Sequence, residues 1–203
     1  MATTGRPRQF DRNEALRQAM ALFWRQGYEP TSLAHLKDAM GGISAASLYA
    51  AFGSKEALYK EAIELYTASI GKEIRRPLED HALDPIEAVE RALRSAAREQ
   101  TRGTQPRGCM VVLSATNCSP GNEHIQAAMR AERRRTRLAF RACLLRAVQS
   151  GALDPATDVD SMSAFFSTLL NGISIQARDG ASRDELNKTI DLALSNLKFR
   201  MAV

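Results

Sequence analysis

Cysteine is scarce in this 203-residue chain: only Cys109, Cys118 and Cys143, irregularly spaced. An odd number so placed is no disulfide framework, and without a paired CxxC no structural metal site is expected. His35, His81 and His124 are scattered as well. No run of about eighteen apolar residues occurs, so no membrane-spanning helix and no membrane partner are expected. Residues 1–12 are polar and basic without an apolar stretch, which argues against a secretory signal and for the cytoplasm. Paired catalytic carboxylates, a nucleophile elbow, a phosphate-binding glycine loop and metal-ligand spacings are all missing, so neither an enzyme nor a cofactor is expected. Strand-like alternation is absent too, apart from the ambiguous run Met110-Val111-Val112-Leu113.

Helical periodicity fills the space these absences leave. Asp11 is placed to cap a helix over 11–26, with Glu14 in the capping-box position and Leu16, Ala19, Met20 and Phe23 as its stripe. A short helix over 32–40, opened by Thr31, carries Leu33, Leu36 and Met40. Gly41-Gly42 breaks it. Ser44 then caps a helix over 44–52, with Leu48 and Phe52 pointing inward four residues apart. Further helices are expected over 54–70, from Asp84-Pro85 onward, over 108–116, 122–150, 158–178 and 182–200. The chain therefore reads as all-α, with about nine helices. A boundary is placed near 71–84, where Gly71 and Pro77 interrupt the pattern.

Two short helices joined by a glycine turn over residues 31–52 make a helix-turn-helix. The second helix of that motif lies in the major groove of DNA. Its outward residues here are small or hydrogen-bonding: Ala45, Ala46, Ser47, Tyr49 and Ala50. Residues 1–60 carry Arg6, Arg8, Arg12, Arg17, Arg25, Lys37, Lys55 and Lys60 against Asp11, Glu14, Glu29, Asp38 and Glu56. That basic surplus permits phosphate binding without proving it.

Gly5-Arg6-Pro7-Arg8, Phe10-Asp11-Arg12, the run from Ala19 to Trp24, Gly27-Tyr28, Thr31-Ser32-Leu33, Ser47-Leu48-Tyr49 and the run from Phe52 to Tyr59 follow one another in order. Together they resemble the opening third of the tetracycline-repressor (TetR/AcrR) family. Two departures stand out: a second glycine in the turn, and Lys37 where a small residue is common. The resemblance implies a homodimeric, ligand-responsive repressor with three parts: a DNA-binding head with a basic arm (1–53), a connecting helix (54–70) and an effector-binding and dimerisation body (71–203). It implies that Thr31 and Ser32 bond phosphate. Ser44, Ala45, Ala46 and Ser47 would enter the major groove, and Tyr49 would touch phosphate or a thymine methyl. Lys55 would hold a phosphate, and Arg6 and Arg8 would form an arm reaching backbone or minor groove. The partner would be a roughly palindromic double-stranded DNA operator.

In the body, 158–178 is apolar around much of its circumference, which suits a four-helix interface formed with 182–200 of both subunits. Phe166, Leu170, Gly172, Ile173, Leu186, Ile190, Leu194 and Leu197 are the candidate interface. Leu93, Cys109, Met110, Leu113, Phe140, Phe165, Phe166 and Leu169 are the candidate lining of a pocket for a small-molecule effector, with plain core packing as the alternative for each. Cys109 and Cys118 open another alternative, a repressor responding to redox state, electrophiles or metals. In that reading Arg107 and a helix N-terminus would lower the Cys109 pKa; ordinary buried thiols are the competing reading. The arginine run from Arg130 to Arg137 reads as a solvated helix face.

Overall fold

A computed structural model describes residues 11–198, which are helical throughout their regular structure. Asp11 caps α1 (Arg12–Gln26) by accepting from the Asn13 and Glu14 amides. Glu14 does not complete a capping box; its carboxylate takes Arg17 and Gln18 instead. Ser32, rather than Thr31, caps α2 (Leu33–Ala39), with His35 closing the box from position three. Ser44 caps α3 (Ala45–Phe52) and Ser54 caps α4 (Lys55–Tyr66). Leu36, Leu48 and Phe52 are buried between these helices, and Leu33 and Ile43 are half-buried beside them. Burying a side chain of that size contributes about 1.5–3 kcal/mol, which fixes α3 against its neighbours.

Within the expected break at 71–84 the chain turns only toward the end, at 80–84; Gly71 and Pro77 do not interrupt the helix. After α4 a single π turn, Thr67–Gly71, leads directly into α5 (Lys72–Glu79), with Pro77 inside the helix. Two features let the helix survive its proline. Ile74 and Leu78 are buried in the body core, and α5 ends two residues beyond Pro77. The connecting helix thus runs past residue 70, and the turn comes at Asp80.

Asp84 caps α6 (Pro85–Gln100). The ambiguous apolar run is a single helical turn, α7 (Met110–Leu113), rather than a helix over 108–116. α8 (Glu123–Gln149) and α9 (Val159–Arg178) are long, and the Ser182–Glu185 capping box opens α10 (Arg183–Lys198). One core unites α5, α6, α8, α9 and α10 around Leu93, Phe140, Phe166 and Ile190. A second unites α1 to α4 with Met110 and Val111 of α7 and Ile125 and Met129 of α8.

The segment 107–118 therefore forms the seat of the head on the body. Trp24 Nε1 donates to the Gly108 carbonyl at 3.1 Å, and the Tyr28 amide donates to Ser114 O at 2.7 Å. Arg178, at the end of α9, donates to the carbonyls of Trp24, Arg25 and Arg107. Gly108 has φ +80°, and a Cβ there would stand 2.7 Å from Ser174 O. Gly108→Ala should lower stability by about 2–4 kcal/mol, from left-handed strain plus overlap with backbone. Gly121→Ala, at φ +96° with open space around it, should lose only about 1–2 kcal/mol. Urea midpoints of the two variants provide the comparison.

Candidate nucleic-acid interface and body cavity

The outer face of the helix-turn-helix is built from the N-terminus of α3 outward. Ser44 Oγ accepts the Ser47 amide at 3.0 Å and lies 2.9 Å from Ser47 Oγ. Ser44, Ala45, Ala46 and Ser47 are all exposed, and Tyr49 keeps 45 % of its surface in solvent. Leu48 and Phe52 hold the helix from behind, so α3 presents a smooth face of small side chains ending in a phenol. Such a face can approach a base-pair edge closely, and its hydroxyls can hydrogen-bond there.

Around this face the expected phosphate contacts divide. Ser32 is exposed at the start of α2. Thr31 is fully buried, its hydroxyl donated to the Gly27 carbonyl at 2.6 Å, so its side chain joins the packing that ends α1 and does not face outward. Lys55 is half-buried, with Nζ 4.3 Å above the centre of the Tyr28 ring. Burial lowers its pKa, and Glu29 acts in the opposite sense. Arg12, counted above with the basic surplus, is engaged by both Glu61 oxygens at 2.8 Å and stacks over Phe52. Arg6 and Arg8 lie outside the described residues.

In the body, a cavity of about 40 Å³ lies behind the π turn, walled by α4 to α9. Of the residues expected to line a pocket, Cys109 is there. Leu93, Met110, Phe140 and Phe166 are instead fully enclosed in the two cores. Leu113 is half-buried beside Gly108, Leu169 packs partly against the body core, and Phe165 is 49 % exposed. Apolarity marked core here, as it does in most helices. The actual wall includes polar residues that hydrophobic patterning passes over: Arg75, Gln100, Glu132 and Arg133. Helical spacing held a signal for Arg133, which shares the inward stripe of Met129, Thr136 and Phe140. It is half-buried, whereas Arg130, Arg134, Arg135 and Arg137 are exposed.

The candidate interface residues require a similar correction. Phe166, Leu170, Ile173, Leu186, Ile190 and Leu194 are buried within their own subunit, because α9 and α10 pack on α6 and α8. Gly172 is half-buried, with nothing within 4 Å of where a Cβ would stand, and the Leu197 side chain lies outside the described residues. The apolar residues left outward are Phe165 and Ile175 on α9, Leu138 on α8 and Leu192 on α10.

The cysteines do not have the environment of low-pKa sensors. Burial pushes the Cys109 thiol up, ahead of the opposing hydrogen bond from the Tyr66 hydroxyl at 3.3 Å. Arg107 gives it no help, since its guanidinium is donated to the Ala177 and Ala181 carbonyls. Cys118 is also raised, by burial first and then by Glu29. Among the described residues, no three His, Cys, Asp or Glu side chains group closely enough to hold a metal. Because a raised pKa removes thiolate at neutral pH, Cys109 should alkylate with iodoacetamide more slowly than glutathione at pH 7. Its rate should still be climbing above the ordinary thiol range of about 8.5. Peptide-resolved mass spectrometry across pH reads both.

Comparison with known proteins agrees with this architecture. Residues 15–62 match the model of bacterial regulatory proteins of the tetR family, and residues 82–193 match a tetracyclin repressor-like C-terminal domain. The chain is 32 % identical over 182 residues to the HTH-type transcriptional repressor ComR of Escherichia coli K12, covering 90 % of this chain and 86 % of that one. It is 31 % identical over 197 residues to the repressor BdcR of the same organism, covering 96 % and 92 %. Among solved structures, a cysteine-substituted form of the TetR family regulator CifR, complexed with 26-bp double-strand operator DNA, is 41 % identical. It superposes with a TM-score of 0.87, covering 94 % of this chain and 98 % of that one. No helix among the described residues is long and apolar enough to cross a membrane. With the head and the body each matched by their own family model, and with relatives alike along nearly the whole length, the chain belongs to the TetR family of bacterial regulatory proteins.

Proposed function

We propose that this protein is a homodimeric transcriptional repressor that acts in the cytoplasm and leaves its operator when a small molecule enters the body. The role is regulatory, not catalytic. The observation that carries it is the exposed α3 face, rigidly backed by Leu48 and Phe52 and unobstructed by the body. Ser44, Ala45, Ala46 and Ser47 read base edges, while Ser32, Tyr49 and Lys55 meet the backbone, with Arg6 and Arg8 as a basic arm. Lys55 reaches phosphate by swinging off the Tyr28 ring, where it sits in the free protein.

Two heads reach one operator only if two bodies join. A second copy of this chain is the occupant proposed for the outward faces of α9 and α10. Phe165, Gly172 and Ile175 follow one another along that α9 face at helical spacing. The known family members work as dimers, and the small Gly172 leaves room for a neighbouring helix.

Coupling follows the connecting helix. α4 packs against α1, and its last residue, Tyr66, lines the body cavity. A ligand that reshapes the π turn displaces α4, and the head with it, so the two α3 helices lose their spacing.

Lys55→Ala should weaken binding to every DNA sequence, and Ser47→Ala should change sequence preference more than overall grip. Fluorescence anisotropy, on DNA from upstream of the protein's own gene and on scrambled duplex over a range of salt, separates the two. A flat salt response without sequence preference would refute the repressor reading. Phe165→Glu should yield monomers in analytical ultracentrifugation while helical content stays unchanged. Persistence of the dimer would place the interface elsewhere.

A further inference from the structure

Behind the π turn, the cavity wall holds two buried polar atoms that make no hydrogen bond among the described residues. Gln100 is 1 % exposed, and its Oε1 has no hydrogen-bond partner among the described residues. Arg75 Nε likewise makes no hydrogen bond among the described residues; it stands 3.7 Å from Glu79 Oε1, an ion pair too long to be a hydrogen bond. Both side chains line the same space. Buried donors and acceptors are ordinarily paired, so two orphans around one cavity describe what should fill it: a group that donates to an amide oxygen and a group that accepts from a guanidinium.

Charge narrows the acceptor. Two guanidinium groups line the wall, those of Arg75 and Arg133. Arg133 gives Nη1 to the Val111 carbonyl at 2.8 Å and makes no ion pair among the described residues. Glu132 is the one carboxylate lining the cavity, and it is already paired with Arg135 at 3.2 Å. With Arg75 only loosely paired to Glu79 and Glu132 taken by Arg135, Arg133 leaves the wall with positive charge that no lining carboxylate balances, which favours an anion able to take a planar fork of donors. Size narrows the rest. A volume of about 40 Å³ holds about three water-sized centres, and most of the accessible lining is apolar, with Ile74, Val111 and Leu170 among it, so only a short carbon chain fits between the polar groups.

We infer that this cavity takes a short-chain hydroxycarboxylate, its carboxylate against Arg75 and Arg133 and its hydroxyl donating to Gln100 Oε1. The ligand is small enough to sit under Tyr66, Thr67 and Gly71 and to bear on the π turn from within. This inference rests on the effector-released reading above for its biological meaning, but the binding itself does not need DNA.

The test uses the full chain without DNA. Thermal unfolding is followed in rising glycolate and lactate at constant ionic strength, with acetate and propane-1,2-diol as probes lacking one group each. Glycolate or lactate should raise Tm saturably, while acetate and the diol should be weaker by about tenfold or more, because a site built around a hydroxyl rejects analogues without it. Gln100→Met should abolish that preference for a hydroxyl and leave the ligand-free Tm equal or higher, since it removes a buried orphan. Arg75→Met should weaken glycolate, lactate and acetate together, and it serves as the second variant if Gln100→Met does not fold. Equal shifts by all four probes, no shift by any of them because water alone serves the two atoms, or a hydroxyl preference indifferent to both substitutions would overturn the inference. Operator release is measured separately by anisotropy. Binding without release would leave the site standing and refute its role as the repressor's switch.

Discussion

Arg178 is the tie on which the arrangement of head and body depends. Its guanidinium, at the end of α9, collects the carbonyls of Trp24 and Arg25 from the last turn of α1 and that of Arg107 from the seat beneath. A helix leaves its final carbonyls unpaired, and a cation placed there both satisfies them and complements the helix dipole. The Trp24 indole, the Tyr28 amide and the Tyr59 hydroxyl extend the contact onto Gly108 and Ser114. The head is therefore bonded to the body through backbone carbonyls of a short segment and is not merely greased against it. Directional bonds of this kind transmit a change of angle where a slippery apolar contact would absorb it.

The same segment forms part of the cavity wall. Cys109, Val111 and Val112 border the space from one side and the π turn borders it from the other. Whatever fills the cavity thus touches both routes to the head: the bonded seat and the connecting helix. The π turn suits this position, because single π turns inside α-helices occur frequently at functional sites. The Tyr66 hydroxyl bonded to Cys109 Sγ spans the two walls. Cys109 serves here as a half-buried hydrogen-bond acceptor, and its raised pKa fits that service better than nucleophilic chemistry.

Much of the site on the DNA side was legible because it depends on local rules. Caps at Asp11, Ser44 and Asp84, the glycine turn, and the four-residue spacing of Leu48 and Phe52 all lie within a few residues of what they control. Thr31 shows the limit even there. It looks like Ser32 in sequence, yet the fold turns its hydroxyl back on Gly27. In the body most of the singled-out apolar residues are buried, Phe165 excepted, but sequence did not show what they are buried against. Phe166 and Ile190 satisfy a core within one subunit as well as they would an interface.

By itself the sequence determined most of the helices, the caps at Asp11, Ser44 and Asp84, and the small-residue face of α3. Those follow from periodicity and backbone hydrogen bonding, which act over one or two turns. Only the tertiary structure decided that Pro77 would be carried inside a helix and that Gln100 and Arg75 would meet around one space. Each of those outcomes depends on side chains far apart in the chain competing for the same interior volume. That competition is settled by packing and desolvation across several helices at once, and no local pattern encodes it.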